Sequence, residues 1–164
     1  MKFYILFAFA FLTTISTCTQ SSTNNSSLKA RVDSLEANSY KPGFGEFMSG
    51  IQSHHAKLWF AGQNQNWKLA EFEIAEIKEN LAAIKKYCSD RTETNSIGMI
   101  EPAIDSVDDA IANKNTRKFN ESYSLLTNSC NNCHQATKHE FNIIKIPDNQ
   151  PFINQDFKVH QPLK

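Results

Sequence analysis

Apolar residues recur at steps of three and four along four segments of the chain, which is the spacing of one face of an α-helix. Short polar runs separate the segments. The stripes that define the four predicted helices are Met48, Ile51, Gln52, His55, Leu58 and Trp59; Ala70, Ile74, Ile77, Leu81, Ile84 and Cys88; Ile97, Ile100, Ile104, Val107 and Ile111; and Phe119, Tyr123, Leu126, Cys130 and Cys133. Amphipathic helices joined by short loops predict an all-α fold, an antiparallel up-down-up-down four-helix bundle.

Turn and capping residues set the expected ends of these helices. Gly62 is expected to lie just beyond the first helix, and the second is expected to run from about Trp67 to Tyr87. Residues 89–96 form a polar connection in this prediction, and Thr116 is the expected N-cap of the last helix. Three prolines in residues 141–164 predict an extended tail in place of a further helix.

The N-terminal residues have the pattern of an export signal. Lys2 precedes an apolar run over residues 3–12, which is too short to span a bilayer and has the length of a signal-peptide core. The segment Ile15-Ser-Thr-Cys18 resembles the lipobox of bacterial lipoproteins, in which the cysteine is lipidated. The resemblance implies a lipid on Cys18 and a membrane-anchored location in the periplasm or cell envelope. An ordinary secretory signal is the alternative.

Residues 18–40 are expected to form a polar tether that contains one short helix. Residues 19–27 are polar and of low complexity, whereas Leu28, Val32 and Leu35 have heptad spacing over about two to three turns. Such a helix is marginal alone, so it is expected to pack on the domain or to self-associate, and a homodimer is possible. The predicted organisation is a signal peptide at 1–17, the tether at 18–40, a helical domain at 41–140 and the tail at 141–164.

Composition excludes several classes of protein. The chain has 164 residues, with 17 Lys+Arg and 17 Asp+Glu, so no basic excess exists for binding nucleic acid. Five glycines and five prolines are too few for a turn-rich β-sandwich or a glycine-rich nucleotide fold. Four cysteines are too few for a disulfide scaffold, but their positions indicate the chemistry.

The segment Cys130-Asn-Asn-Cys133-His134 has the C-x-x-C-H pattern of covalent haem attachment. Residues three apart on a helical turn project to one side, so both thiols can bond to one haem c, with His134 as the proximal iron ligand. A redox dithiol would need a thioredoxin-like βαβ context, and a zinc site would need a second ligand pair. Neither accompanies the motif, so the sequence predicts one covalent haem.

A single C-x-x-C-H in the last of four helices resembles class II cytochromes c, the cytochrome c prime group and its low-spin relatives. The segments His55-Ala-Lys-Leu-Trp-Phe-Ala-Gly62, Asn66-Trp67 and Asn154-Gln-Asp-Phe157 are also similar to exported monohaem cytochromes of no settled function. The resemblance covers roughly residues 40–158 and implies a haem near the end of the last helix. The short first helix and the proline-bearing tail depart from the cytochrome c prime pattern.

The resemblance leaves the sixth iron position either empty or filled by a methionine of the first helix. Met48 lies on the inward stripe at about the depth of His134, which makes it the expected distal ligand. His55 shares that face about 10 Å further along, at 1.5 Å per residue, and is the alternative ligand or a haem contact. His54 is expected at the solvated surface, and no role is expected for His139 or His160.

Other residues receive structural expectations. Cys88 closes the stripe of the second helix and is expected to be a small buried side chain near the cofactor, with an intermolecular disulfide as the alternative. Trp59, Phe60 and Trp67 are expected to pack in the core and at the haem edge.

The predicted function is an exported monohaem c-type cytochrome that carries single electrons to and from redox partner proteins in the periplasm. An electron carrier is favoured over an enzyme, although a peroxidase with His55 as its distal base is a further possibility. The alternative function is a five-coordinate haem protein that binds nitric oxide or carbon monoxide for sensing or detoxification.

Overall fold

A computed structural model describes residues 20–160, with side chains from residue 25. The predicted signal peptide and Cys18 lie outside the described residues. The described residues divide into two compact units, with the boundary between Tyr40 and Lys41. The helices are α1 (Gln20–Asn38), α2 (Phe44–Gln63), α3 (Trp67–Tyr87), α4 (Glu101–Ala112) and α5 (Thr116–Ala136), with a 3-10 segment at Thr92–Ile100.

The regular secondary structure within residues 20–160 is helical, with no β-strand, which confirms the all-α prediction. Over residues 20–160, none of the helices combines the length and the apolar character needed to span a bilayer. In the second unit, α2 packs against α3 and α4 packs against α5, while α3 contacts α4 and α2 contacts α5.

Helix α1 is longer than the sequence pattern predicts. It begins at Gln20, so residues 20–27 are helical where an irregular tether was expected. The polar residues of this stretch have modest helix propensities, and the helix continues through Leu28, Val32 and Leu35 to Asn38. These three apolar side chains are 59%, 47% and 72% exposed.

Helix α2 continues past the position expected to end it. Gly62 lies inside the helix, which ends at Gln63. The glycine is there because a Cβ atom would overlap the ring of Phe119 on α5, so its role is close packing and not chain termination. The turn follows at Asn64 and Gln65, the latter with a left-handed φ of 53°.

Two further boundaries differ from the predictions, and one agrees. Helix α3 spans Trp67–Tyr87 as expected. Most of the expected polar connection is the start of the 3-10 segment, which runs from Thr92 directly into α4. Helix α5 is capped by Asn115 and not by Thr116: the Asn115 Oδ1 accepts the backbone N–H of Lys118 at 3.0 Å.

The core of the second unit lies where the inner faces of its helices meet. Aromatic rings fill the contact between α2 and α5, with the Trp59 and Tyr123 ring centroids 4.9 Å apart. The buried side chains lie at most of the predicted stripe positions, among them Ile51, Leu58, Ala70, Ile74, Ile77, Leu81, Ile84, Val107, Phe119 and Leu126. Helical periodicity therefore identified the buried face of each helix.

The tail from residue 137 to residue 160 contains no helix, in agreement with the proline pattern. Phe157 is fully buried, 5.6 Å from the ring of Phe60, and the Asn66 side chain donates to the Phe157 carbonyl at 3.3 Å. Phe152 remains 37% exposed beneath the ammonium of Lys57. Phe157, and not Phe152, is therefore the phenylalanine that fixes this part of the tail to the core.

Candidate functional site

A cavity of about 370 Å³ opens between the start of α2, the 3-10 segment, the last turns of α5 and the tail. Most of its wall is apolar, with Ile51, Ile97 and Ile100 among the contributing side chains. Five residues singled out from the sequence line this one cavity: Met48, His55, Cys130, Cys133 and His134. Its size lies within the range of protein sites for small molecules and cofactors, roughly 300–1,000 Å³.

The two cysteines lie one helical turn apart on α5. The Cys130 side chain is 9% exposed, and burial raises the pKa of its thiol to about 12, with the neighbouring Cys133 thiol adding to the shift. Cys133 is half-buried, with Sγ 3.7 Å from the Ser96 carbonyl oxygen, and burial raises its pKa as well. The folded chain therefore holds two protonated thiols at the wall of one cavity.

The imidazole of His134 is oriented by the tail. Its Nδ1 lies 2.6 Å from the carbonyl oxygen of Asn142. A carbonyl can only accept, so Nδ1 carries the proton and donates it. In the neutral ring this leaves the Nε2 lone pair free, which is the tautomer required of a histidine that binds a metal through Nε2.

The first variable residue of the motif ties the tail to α5. The Asn131 side chain donates from Nδ2 to the Ile144 carbonyl at 2.8 Å and accepts the Ile144 N–H at Oδ1, also at 2.8 Å. This reciprocal pair holds the segment that carries Asn142 against the end of the helix. The orientation of His134 therefore depends on a motif position that the C-x-x-C-H pattern leaves open.

Met48 lies in the second turn of α2, half-buried against the core, and lines the cavity. It shares the cavity wall with both cysteines and His134. A thioether can bind haem iron, so the arrangement is compatible with the expected role of Met48.

His55 is 3% exposed, and both of its ring nitrogens have partners on α5. Nε2 lies 3.0 Å from Thr127 Oγ1, and Nδ1 lies 3.0 Å from the hydroxyl of Tyr123. Burial lowers the pKa of His55 to about 4, so the ring is neutral near pH 7. Binding a metal would require His55 to give up one of these hydrogen bonds.

The expectation of a solvated His54 is wrong. Its Nδ1 lies 2.7 Å from an oxygen of Glu73, a carboxylate on α3 with only 1% exposure, and its Nε2 lies 3.7 Å from Glu76. A buried carboxylate needs a polar partner, and α3 brings it to the flank of α2. Since Glu73 is polar, the apolar stripe gave no sign that this flank faces another helix.

Several cavity residues carried no signal in the sequence. Arg91 and Glu93 line the opening and pair at 2.6 Å, and the hydrogen bond from Arg91 is the main cause that lowers the pKa of Glu93 to about 2. His139 and Asn142 reach the cavity from the tail. These residues follow no helical stripe, and only the fold of the loop and tail brings them to the site.

Cys88 is 5% exposed in the core and is not among the residues that line the cavity. Trp59, Phe60 and Trp67 pack against the core cluster and are likewise absent from the cavity wall. In the part of the chain that the structure describes, no group of three or more His, Cys, Asp or Glu side chains is arranged to hold a metal ion.

Comparison with known proteins gives no relative whose site could be compared with this cavity. The chain matches no protein-family model, no curated protein and no solved structure.

Proposed function

We propose that this chain is an exported monohaem c-type cytochrome that carries single electrons. In this proposal α2 to α5 form an antiparallel up-down-up-down bundle that resembles class II cytochromes c, with the haem near the end of α5. Cys130 and Cys133 hold the haem covalently, His134 is the proximal iron ligand and Met48 is the distal ligand.

The observation that carries the proposal is the shared cavity. Residues of the C-x-x-C-H motif line the same largely apolar cavity as Met48, which precedes Cys130 by 82 residues in the sequence. The fit of the residues supports a haem: two thiols lie one turn apart, and a histidine is held with Nδ1 as the donor, so that in the neutral ring Nε2 is the acceptor. A bound haem would supply a metal centre that changes oxidation state by one electron, with a potential tuned by its axial ligands and its burial.

The residues of the chain would serve this cofactor in distinct ways. The Asn142 carbonyl fixes the tautomer of His134 and strengthens it as a ligand. The apolar side chains Ile51, Ile97 and Ile100 exclude water from the cavity wall. His55 adds no charge to this wall, since its ring is neutral and held by Tyr123 and Thr127.

Location and partners belong to the same proposal. An N-terminal signal and a lipid on Cys18 would place the protein in the periplasm or cell envelope on a membrane anchor, where it would exchange electrons with redox partner proteins. A peroxidase with His55 as its base is disfavoured in this proposal, because both ring nitrogens of His55 lie within hydrogen-bond distance of hydroxyl groups on α5.

The test is the mass and optical spectrum of the exported protein, produced together with a cytochrome c maturation system. We expect one covalent haem in the wild-type chain and in Cys88→Ser, a matched change at a second buried cysteine. We expect no covalent haem in a Cys130→Ser/Cys133→Ser variant. A wild-type chain without haem would refute the proposal.

The spectrum also separates electron transfer from gas binding. A low-spin spectrum that carbon monoxide does not change would indicate a filled sixth position and support electron transfer. A high-spin ferrous form that takes up carbon monoxide would replace this function with nitric oxide or carbon monoxide binding at a five-coordinate haem.

A further inference from the structure

Helix α1 carries a row of exposed apolar side chains along one edge. Leu28, Val32 and Leu35 follow one another at steps of four and three, and each is about half exposed or more. The other apolar residues of the helix, Ala30 and Ala37, lie on the opposite side. The edge is therefore a single narrow seam of the kind that pairs with another helix.

The seam has the residue types of a parallel two-stranded coiled coil. In heptad notation Leu28 and Leu35 occupy d positions, and Val32 occupies the a position between them. A β-branched residue at a with leucine at d favours two strands over three or four. One heptad before Val32, Asn25 occupies an a position, where a polar side chain selects register and orientation.

The flanking charges fit a second copy of the same helix. Arg31 is at a g position and Glu36 at the following e position, so each Arg31 would face the Glu36 of the other copy when two helices run parallel and in register. Among the described residues neither Arg31 nor Glu36 is in a salt bridge, whereas Lys29, at the e position that follows Leu28, and Asp33, at b, pair within the helix at 3.2 Å. Within residues 20–160, the seam thus carries complementary charges that form no salt bridge in a single copy.

The antiparallel arrangement fits less well. Bringing Val32 of one copy opposite Leu28 of the other would put Arg31 near the second Arg31 and Asn25 opposite Leu35. Like charges and a polar residue against an apolar one both oppose such a pair. Charge and polarity therefore favour the parallel register.

We propose that α1 pairs in parallel with α1 of a second copy of this chain, through Leu28, Val32 and Leu35, with Arg31 of each copy facing Glu36 of the other. The pairing involves neither the cavity nor the haem. A helix of 19 residues is marginal in water, so burial of the seam in a partner would stabilise it. The proposed lipid anchor would raise the local concentration of the two copies, but the interface does not require it.

Cysteine cross-linking of the full exported chain tests the orientation. Under a mild chemical oxidant, Asn25→Cys should give a disulfide-linked dimer, because a positions of the two copies meet in a parallel pair. Ala30→Cys, on the outer face of the same helix, and the parent chain are the matched controls. Cross-linking of Asn25→Cys no greater than that of Ala30→Cys would overturn the proposal.

Charge reversal supplies a second measurement, made by sedimentation of the same full chain. Arg31→Glu alone and Glu36→Arg alone should each weaken the dimer by about tenfold, since two attractive pairs become repulsive. The double variant should restore it. Three variants that dimerise alike, or a double variant weaker than both singles, would count against the interface. Haem content is measured in every variant, so a chain that fails as a cytochrome is recognised separately from one that fails to pair.

Discussion

Asn131 and Ile144 are joined by two hydrogen bonds of 2.8 Å, one in each direction, between a side-chain amide on α5 and the backbone of the tail. The tail residue Asn142 in turn accepts the Nδ1 proton of His134. A side chain between the two cysteines therefore determines how firmly the tail holds the histidine beside them.

The first prediction concerns this pair. Asn131→Ala removes two hydrogen bonds and should lower the free energy of unfolding by about 1–3 kcal/mol, at about 0.5–1.5 kcal/mol each. The Ile144 amide should exchange its hydrogen faster, which hydrogen-exchange mass spectrometry or NMR would measure. Asn132→Ala changes the exposed neighbour within the same motif and should leave that exchange rate unaltered. Equal exchange in the two variants would show that the pair does not hold the tail.

The second prediction concerns the proposed distal ligand. In the haem-loaded protein, Met48→Ala should convert a low-spin spectrum to a high-spin one and allow carbon monoxide to bind the ferrous form. Met99→Ala is the matched control, because Met99 is 47% exposed and lies outside the cavity wall. An unchanged Met48→Ala spectrum would show that Met48 is not the distal ligand, and His55 would be the next candidate to substitute.

The third prediction is the effect of pH on stability through His55. Its folded pKa of about 4 is below the ordinary 6.5, so the unfolded chain binds the proton more readily between these values. The stabilisation from the neutral ring is present above about pH 6.5 and is lost as the pH falls through 4. Its total is about 3 kcal/mol, at about 1.4 kcal/mol per pKa unit.

Urea unfolding between pH 7 and pH 4 measures this loss. His55→Gln should be less stable at pH 7 but should show a smaller further loss on acidification. His160 is exposed and lies 3.1 Å from Asp156, so His160→Gln should keep the wild-type pH dependence. Parallel pH profiles for His55→Gln and the wild type would contradict the prediction.

The fourth prediction concerns close packing between α2 and α5. Gly62→Ala places a Cβ atom in the space of the Phe119 ring and should destabilise the fold by about 1–3 kcal/mol through overpacking. Gly45→Ala is the same change on the same helix at a position with nothing within 4 Å of the added atom. That control should be neutral or slightly stabilising in thermal unfolding, because alanine favours the helix. Similar melting temperatures for the two variants would argue against a close approach at Gly62.

The fifth prediction concerns the tail anchor. Phe157→Ala empties a fully buried site beside Phe60 and should cost about 3–5 kcal/mol. Phe152→Ala, at a partly exposed ring over which Lys57 lies, should cost less than about 1 kcal/mol. Chemical denaturation of both variants compares them directly, and equal losses would show that the tail is not held at Phe157.

The sequence predicted the features that depend on helical periodicity and on the spacing of residues within a short motif. It identified the extent of α3 and the buried faces of α2 to α5, because a helix repeats its environment every 3.6 residues. It also selected five of the residues that line the cavity: Met48, His55, Cys130, Cys133 and His134. Their roles toward a haem stay predictions.

What the sequence could not predict depends on contacts between distant segments. Glycine is typical of a helix end, but Gly62 lies inside α2 because it packs against Phe119, 57 residues further along the chain. His54 was expected in water because its partner, Glu73, is itself polar and carries no apolar signal. Asn142 orients His134 through a backbone carbonyl, a group that every residue has and that no pattern reveals.

The burial of Cys130 makes the reactivity of its thiol depend on whether the chain has folded. A thiol with 9% exposure and a pKa of about 12 is almost wholly protonated near neutral pH, and only the thiolate is a strong nucleophile. Folding therefore lowers the nucleophilic reactivity of the Cys130 thiol. Any enzyme that modifies Cys130 is expected to act on the newly exported polypeptide before α5 and the tail come together. If the chain is a c-type cytochrome, as proposed, haem attachment at Cys130 would compete in time with folding, and a variant that folds faster would leave more chains unmodified.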